Sequence, residues 1–225
     1  MNSDFSDLSN LPRAIHQASL NPHQDPNSFY EACEMSKQLN FGGICVALTQ
    51  IPLAREKLGM NSKTKLIAGI SFPFGTDPDF LKKKQAEWAT LKGAEELDVV
   101  PNFFALNQGK TNFFAEELAT ICEIGLPVRV ILNLQNLDVE KIPIAIDAAI
   151  DAGVSGVQNG NGFGKAVTKS DIIHIKKITK GRCHIKAVGG IRTVPHALEL
   201  LQSGANIIGT SCGKEIIQDL QKVNQ

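Results

Sequence analysis

Two ionisable residues stand inside apolar, strand-like runs of this chain: Asp98 in E-L-D-V-V (96–100) and Lys186 in H-I-K-A-V (184–188). An acid or an amine in such a run is costly to bury unless it is paired or used. Two of them in one chain favour a reactive site over chance. Alone, Asp98 could pair with a surface lysine and Lys186 could reach solvent at a strand end. Other polar residues gather where apolar runs end: His16, Ser71, Asn102, Asn133, Gln158 with Asn159 and Asn161, and Ser211. Such a set suits acid–base chemistry and hydrogen bonding to a small polar ligand.

Glycine-rich turns point to the ligand's charge. Gly189-Gly190 follows the Lys186 run without a break, and Arg192 and Thr193 come just before a helical stretch. Glycine lets the backbone turn where a side chain would block it. Thr193 reads as the N-cap, Pro195 sits in the first turn, and Gly204 ends the helix. Unpaired amides at such a turn suit a phosphate, although an ordinary strand-to-helix connection would look the same. Gly160-Asn-Gly-Phe-Gly164 and Gly209-Thr-Ser-Cys-Gly213 are two further turns of this kind. Three such loops on one rim make a phosphate ion or a phosphorylated small molecule the expected partner. His23 and His174 read as surface residues, no cluster has the spacing of a metal site, and no cofactor is implied.

The elements that must position these residues alternate along the chain. A first strand falls near 14–20, a helix over 28–39 with Ser28 and Glu31 at capping-box spacing, then a strand over 43–48 and a helix over 52–58. Strand 65–70, helix 78–92 with Trp88 on its apolar side, strand 96–100 and helix 112–125 follow. Strand 128–132 and helix 138–152 come next, the latter with Ile142, Ile144, Ala145, Ala148 and Ile150 inward. Strand 154–158, helix 170–180, the Lys186 strand and its helix, strand 206–209 and a terminal helix from Lys214 complete the set. About eight strands at the spacing of βαβ units predict an α/β fold of the (β/α)₈ TIM-barrel class with an N-terminal helical extension. A doubly wound open sheet competes, but no G-x-G-x-x-G turn follows the first strand.

The whole chain, 1–225, reads as one domain with 1–11 loose. At 225 residues and 43% hydrophobic content it can fill one large core. Lys plus Arg and Asp plus Glu are equal at 23 each. No global field therefore draws the chain to nucleic acid or an anionic membrane, and phosphate affinity must be local. No segment has the length of a membrane span. Five cysteines without a C-x-x-C pair, and an acidic start lacking a signal-peptide core, make a reducing cytoplasm the expected compartment. The phenylalanine pairs 103–104 and 113–114 read as loop packing, with a contact surface as the alternative. The sequence does not identify the oligomeric state; a homodimer is one assembly open to the chain.

The successive motifs resemble those of the deoxyribose-phosphate aldolase family. They are F-G-G-I-C-V from Phe41, F-P-F-G from Phe72, E-L-D-V-V from Glu96, V-R-V-I-L from Val128, G-F-G at Gly162, I-K-A-V-G-G-I-R-T from Ile185 and I-G-T-S-C-G from Ile208. The resemblance covers the chain from Ile15 to the terminal helix. It implies a class I lyase on a (β/α)₈ barrel that cleaves 2-deoxyribose 5-phosphate to acetaldehyde and glyceraldehyde 3-phosphate through a lysine Schiff base. By position, Asp98 would be the proton-relay acid and Lys186 the lysine beside the reactive one. Gly162, Gly189, Gly190, Arg192, Gly209 and Ser211 would surround the phosphate, and Cys45 would line the pocket.

The departures fall on the chemistry. The family's sixth strand ends in the Schiff-base lysine, whereas V-Q-N-G-N-G (157–162) puts Gln158 there. An early aspartate becomes His16, a glutamate after the fifth strand becomes Asn133, and Tyr30 is the only tyrosine, so the C-terminal tyrosine of some members is missing. An amide nitrogen gives its lone pair to its carbonyl and forms no Schiff base, so Gln158, like Asn133 and Asn161, is left with hydrogen bonding. A carboxylate beside an amine favours the ammonium form, which argues against Lys186 taking over, though His16 could add positive charge or act as a base. The expectation is a barrel that binds a sugar phosphate without Schiff-base chemistry, as a binding or regulatory protein. The alternative is an active lyase using Lys186, or acid–base chemistry by Asp98, Lys186 and His16.

Overall fold

The computed structural model describes residues 8–223. A 3-10 turn, Leu8–Asn10, and a single helical turn, α1 (Leu11–Ala14), lead into β1 (Ile15–Ser19). These form the N-terminal helical extension. The stretch expected to be loose is thus ordered from Leu8, and residues 1–7 of it lie outside the described residues. There follow α2 (Pro26–Gln38), β2 (Gly43–Val46), α3 (Ile51–Leu58), β3 (Lys65–Ile70), α4 (Asp79–Leu91) and β4 (Glu96–Val99). Next come α5 (Phe103–Asn107), α6 (Thr111–Cys122), β5 (Val128–Ile131), α7 (Lys141–Asp151), β6 (Gly156–Gln158) and α8 (Lys169–Thr179). The chain ends with β7 (His184–Val188), α9 (Val194–Ser203), β8 (Ile207–Thr210) and α10 (Gly213–Val223). The strands pair in parallel, each with the next, and β8 closes on β1. The architecture is a (β/α)₈ barrel.

Alternation along each strand separates two environments. Outward residues such as Ile44, Val46, Leu66, Ala68, Leu97, Val99, Val128 and Val130 join the main apolar core beneath the helices. Inward positions carry His16, Cys45, Glu96, Asp98, Arg129, Gln158 and Lys186 instead, interleaved with Gly43, Gly156 and Gly209. A barrel interior is ordinarily filled by branched aliphatic side chains. Here the glycines leave room for long polar ones. A Cβ on Gly156 would come 3.0 Å from Arg129 Cγ, and one on Gly209 would come 2.9 Å from Lys186 Cε.

Several local expectations are corrected. Helix α2 starts earlier than Ser28: Asp25 caps it, accepting from the amides of Asn27 and Ser28, with Pro26 in the first turn. Trp88 is 39% exposed and Ile144 47% exposed. In α4 the inward positions go to Ala86, Ala89 and Lys82, the last fully buried because Glu117 of α6 neutralises it at 3.0 Å. In α7, Ile146 is buried instead. Helix α5 was not anticipated. It makes Phe103 pack on the core while Phe104 stays 72% exposed; likewise Phe114 is buried and Phe113 is 64% exposed. Among the described residues no helix is long and apolar enough to cross a membrane.

Candidate functional site

The register of β4 and β5 sets Asp98 beside Arg129, and that of β6 and β7 sets Gln158 beside Lys186. Across the interior these residues meet in one network. Arg129 Nε donates to Asp98 Oδ1 at 2.8 Å, and Lys186 Nζ donates to Asp98 Oδ2 at 2.5 Å. Arg129 Nη1 also reaches back to Glu96 Oε2 at 2.6 Å. Asp98 is 1% exposed, Lys186 3% and Arg129 4%. Burial works to raise the Asp98 pKa, but the two cations outweigh it and hold the carboxyl well below the usual carboxylate range. Arg129 is held above its ordinary value, because Asp98 and Glu96 more than offset its own burial. The centre of the barrel therefore carries one carboxylate shared by two cations.

His16, on β1, is buried near this network. Burial first, and the positive charges of Lys186 and Arg129 next, push its pKa well below the ordinary histidine value, with Asp98 opposing weakly. It is a neutral imidazole at pH 7, with Nδ1 sealed from solvent and without a hydrogen-bond partner. Gln158 donates from Nε2 to the Gly160 carbonyl at 2.6 Å, which folds the amide onto its own loop and leaves Oε1 buried and unsatisfied. Burial, with the Asp98 charge adding to it, pushes the Cys45 thiol up to about 12, so no thiolate nucleophile stands here.

These groups floor a cavity of roughly 720 Å³ at the C-terminal end of the barrel. His16, Cys45, Asp98, Gln158 and Lys186 line it below; Asn161, Gly162, Gly189, Gly190, Arg192, Gly209 and Ser211 line it above. Gly162, Gly189 and Gly190 have φ of +88°, +123° and +65°. A Cβ on Gly190 would also meet Ala166 Cβ at 2.7 Å, so only glycine fits that turn. Among the described residues the amides of Gly190, Ile191 and Ser211 donate to no protein acceptor, which suits an anion.

Two of the expected residues are placed differently. Asn133 does not line the cavity; it sits at φ +46° where the chain leaves β5 for a short 3-10 turn. Asn159 has its side chain spent on Val188, accepting from its amide at 2.7 Å and donating to its carbonyl at 2.9 Å. It continues the β6–β7 ladder. Gly209 serves the Lys186 stem through its missing Cβ as well as bordering the rim.

Two residues escaped the sequence reading. Arg129 was visible as a charge inside V-R-V-I-L, the same signal that singled out Asp98 and Lys186. Gln17 gave none: its Oε1 accepts from the Gly213 amide at 3.2 Å and its Nε2 donates to the Ser211 carbonyl at 2.9 Å, clamping the loop after β8.

No family model matches the sequence. Curated relatives do. A deoxyribose-phosphate aldolase of Trichormus variabilis is 37% identical over 218 residues, covering 96% of each chain. One of Thermococcus kodakarensis is 32% identical over 214 residues, covering 92% of this chain and 96% of that one. Among solved structures, QR15, an aldolase, superposes with a TM-score of 0.91 at 32% identity over 96% of this chain and 97% of its own. The tetrameric deoxyribose phosphate aldolase from Aeropyrum pernix gives 0.85 at 26% identity, covering 96% and 92%.

Proposed function

The chain belongs to the deoxyribose-phosphate aldolase family, and from that premise we propose that it binds a phosphorylated sugar in its barrel cavity without forming a Schiff base. The observation that carries this reading is the state of the two lysines on the cavity wall. Lys186 is ion-paired with Asp98 at 2.5 Å and Lys214 with Glu31 at 2.5 Å. A carbonyl is attacked by a free amine: Lys186 is locked to its buried carboxylate, and Lys214, whose exposed pair with Glu31 is weak, stands on α10 away from the cavity floor. Gln158, at the position the family's nucleophile would occupy, is an amide tied to Gly160.

What the cavity keeps is recognition. Free amides and positive-φ glycines on the rim, with Arg192 beside them, would take the phosphate, and Lys186, Asp98 and neutral His16 would meet the sugar hydroxyls. A sensor or regulatory role follows from binding without turnover. The competing reading, an active lyase using Lys186, draws on the presence of Lys186 and Asp98 together on the floor. It requires the proton of Lys186 to leave for Asp98 against the pull of Arg129 on the same carboxylate.

Incubation with 2-deoxyribose 5-phosphate or acetaldehyde, followed by borohydride and mass spectrometry, separates the two. Measurable binding of 2-deoxyribose 5-phosphate without a covalent adduct or turnover is the expected result. A reduced adduct on Lys186 would overturn the proposal.

A further inference from the structure

The cavity is larger than its supposed ligand and is open on one side. A pentose phosphate has roughly a dozen non-hydrogen atoms; even at the ~30 Å³ of a liquid water molecule for each, it claims about 400 Å³. The cavity offers roughly 720 Å³. Two loops close it over β4 and β5: Phe72 meets Phe163 with the rings tilted by 39° and their centres 6.0 Å apart, and Asn161 Nδ2 donates to the Pro73 carbonyl at 3.3 Å. Strands β4 and β5 themselves contribute only Asp98 and Ile131 to the lining.

On the opposite side it runs outward between α2 and α10. Ser28, Glu31, Ala32 and Met35, one face of α2 by their spacing, line it together with Lys214 and Glu215 of α10. Helix α2 packs on α3, and α10 on α9, but these two ends of the helical ring barely meet each other. The Lys214–Glu31 pair bridges them, part-exposed and therefore weak and easily exchanged. Arg192, on the rim, has no ion-pair partner among the described residues.

Resting on the phosphate reading above, we propose that this trench is a subsite for a second substituent on the phosphate, and that the cavity takes a nucleoside diphosphate-linked pentose. The pentose lies on the floor and the first phosphate on the Gly189–Gly190 rim. The second phosphate lies between Arg192 and Lys214, which exchanges Glu31 for it. The nucleoside lies along α2, where the trench opens to solvent, so the ligand as a whole extends beyond the cavity volume. Ala32 and Met35 offer a base its apolar contact, and Gln24, whose Oε1 accepts from Ser19 at 2.7 Å, has its Nε2 left to donate to the base edge. A terminal phosphate would leave both the trench and the second cation unused.

Isothermal titration of the full chain with ribose 5-phosphate, 2-deoxyribose 5-phosphate and ADP-ribose tests this. ADP-ribose is expected to bind at least tenfold more tightly than ribose 5-phosphate. Ala32→Trp, and independently Ser28→Trp at an exposed position, should abolish that advantage and leave the sugar phosphates unaffected. If the sugar phosphates bind and ADP-ribose binds no more tightly, the trench proposal is overturned and the phosphate reading stands. If no sugar phosphate binds, both fail. An ADP-ribose advantage that survives both tryptophans also overturns the assignment to this trench.

Discussion

Replacing His16 with glutamine should flatten the acid side of the protein's stability profile. The imidazole is 6% exposed and lies near two cations, so protonation in place would bury a third positive charge around one carboxylate. In the unfolded chain a histidine titrates near pH 6.5. The folded pKa is depressed, so on falling from pH 7.5 to 5.5 the unfolded state takes up a proton that the folded state refuses. Stability is then lost as pH falls, by about 1.4 kcal/mol over that interval for one fully resisted proton. With a urea m-value near the upper end for small proteins, about 3 kcal/mol/M, the midpoint should drop by roughly 0.5 M. Glu117 acts in the opposite direction: burial, only partly offset by Lys82, raises its pKa, so its contribution grows as pH falls. That term is common to wild type and variant and cancels in the comparison. His16→Gln will start from a different absolute stability, but its midpoint should move by about 0.5 M less than wild type between the two pH values. Equal shifts in the two proteins would refute the argument, since they would mean that the ring protonates inside the barrel.

Three other substitutions test the charged floor. Asp98→Asn strands Lys186 and leaves Arg129 with Glu96 alone, and should cost about 3–5 kcal/mol in urea unfolding; a loss under about 1 kcal/mol would mean that water already solvates the pair. Gln158→Lys puts an amine at the mouth of the cavity, and borohydride reduction with 2-deoxyribose 5-phosphate should then trap an adduct at position 158 that wild type lacks; absence of any adduct would show that a lysine at this position is not enough for the chemistry. Gly209→Ala sets a Cβ 2.6 Å from Val188 Cγ2 and 2.9 Å from Lys186 Cε. It should destabilise by about 1–3 kcal/mol, whereas an unchanged unfolding midpoint would refute the close packing of the lysine stem.

The barrel was legible because its outward strand residues are continuous apolar runs, and because helix and strand alternate at short spacing. Asp98 and Lys186 were legible because a charge in such a run demands a partner. That Asp98 and Lys186 stand together came through the family resemblance, because they meet across the interior at a sequence separation of 88; that Arg129 is the third member was not legible, since it depends on the β4–β5 register. The same blindness explains Asn159 and Gln17, whose amides mimic or clamp main chain supplied by distant strands. Asn133 was assigned to the pocket by position along the fifth strand, but a left-handed residue at the strand's end turns the chain away from the cavity. Lys82 inverts the lesson: a lysine in an amphipathic helix reads as solvated, and only Glu117, 35 residues on, makes it a core residue.

The charges on the barrel floor bear on how an amide at position 158 is accommodated in the fold. Asp98 is satisfied by Arg129 and Lys186 without help from position 158, and Glu96 accepts from Arg129 Nη1, while Nη2 is buried without a partner. A lysine at 158 would add a third cation beside Lys186 with no carboxylate left to meet it. An amide there removes that repulsion and costs one unsatisfied carbonyl oxygen, a penalty of about 1–3 kcal/mol. Stability alone therefore favours glutamine or comes close to neutral, and keeping an unpaired lysine at this position requires selection for its reactivity. Where that selection is absent, a barrel with glutamine at this position is the state the physics permits.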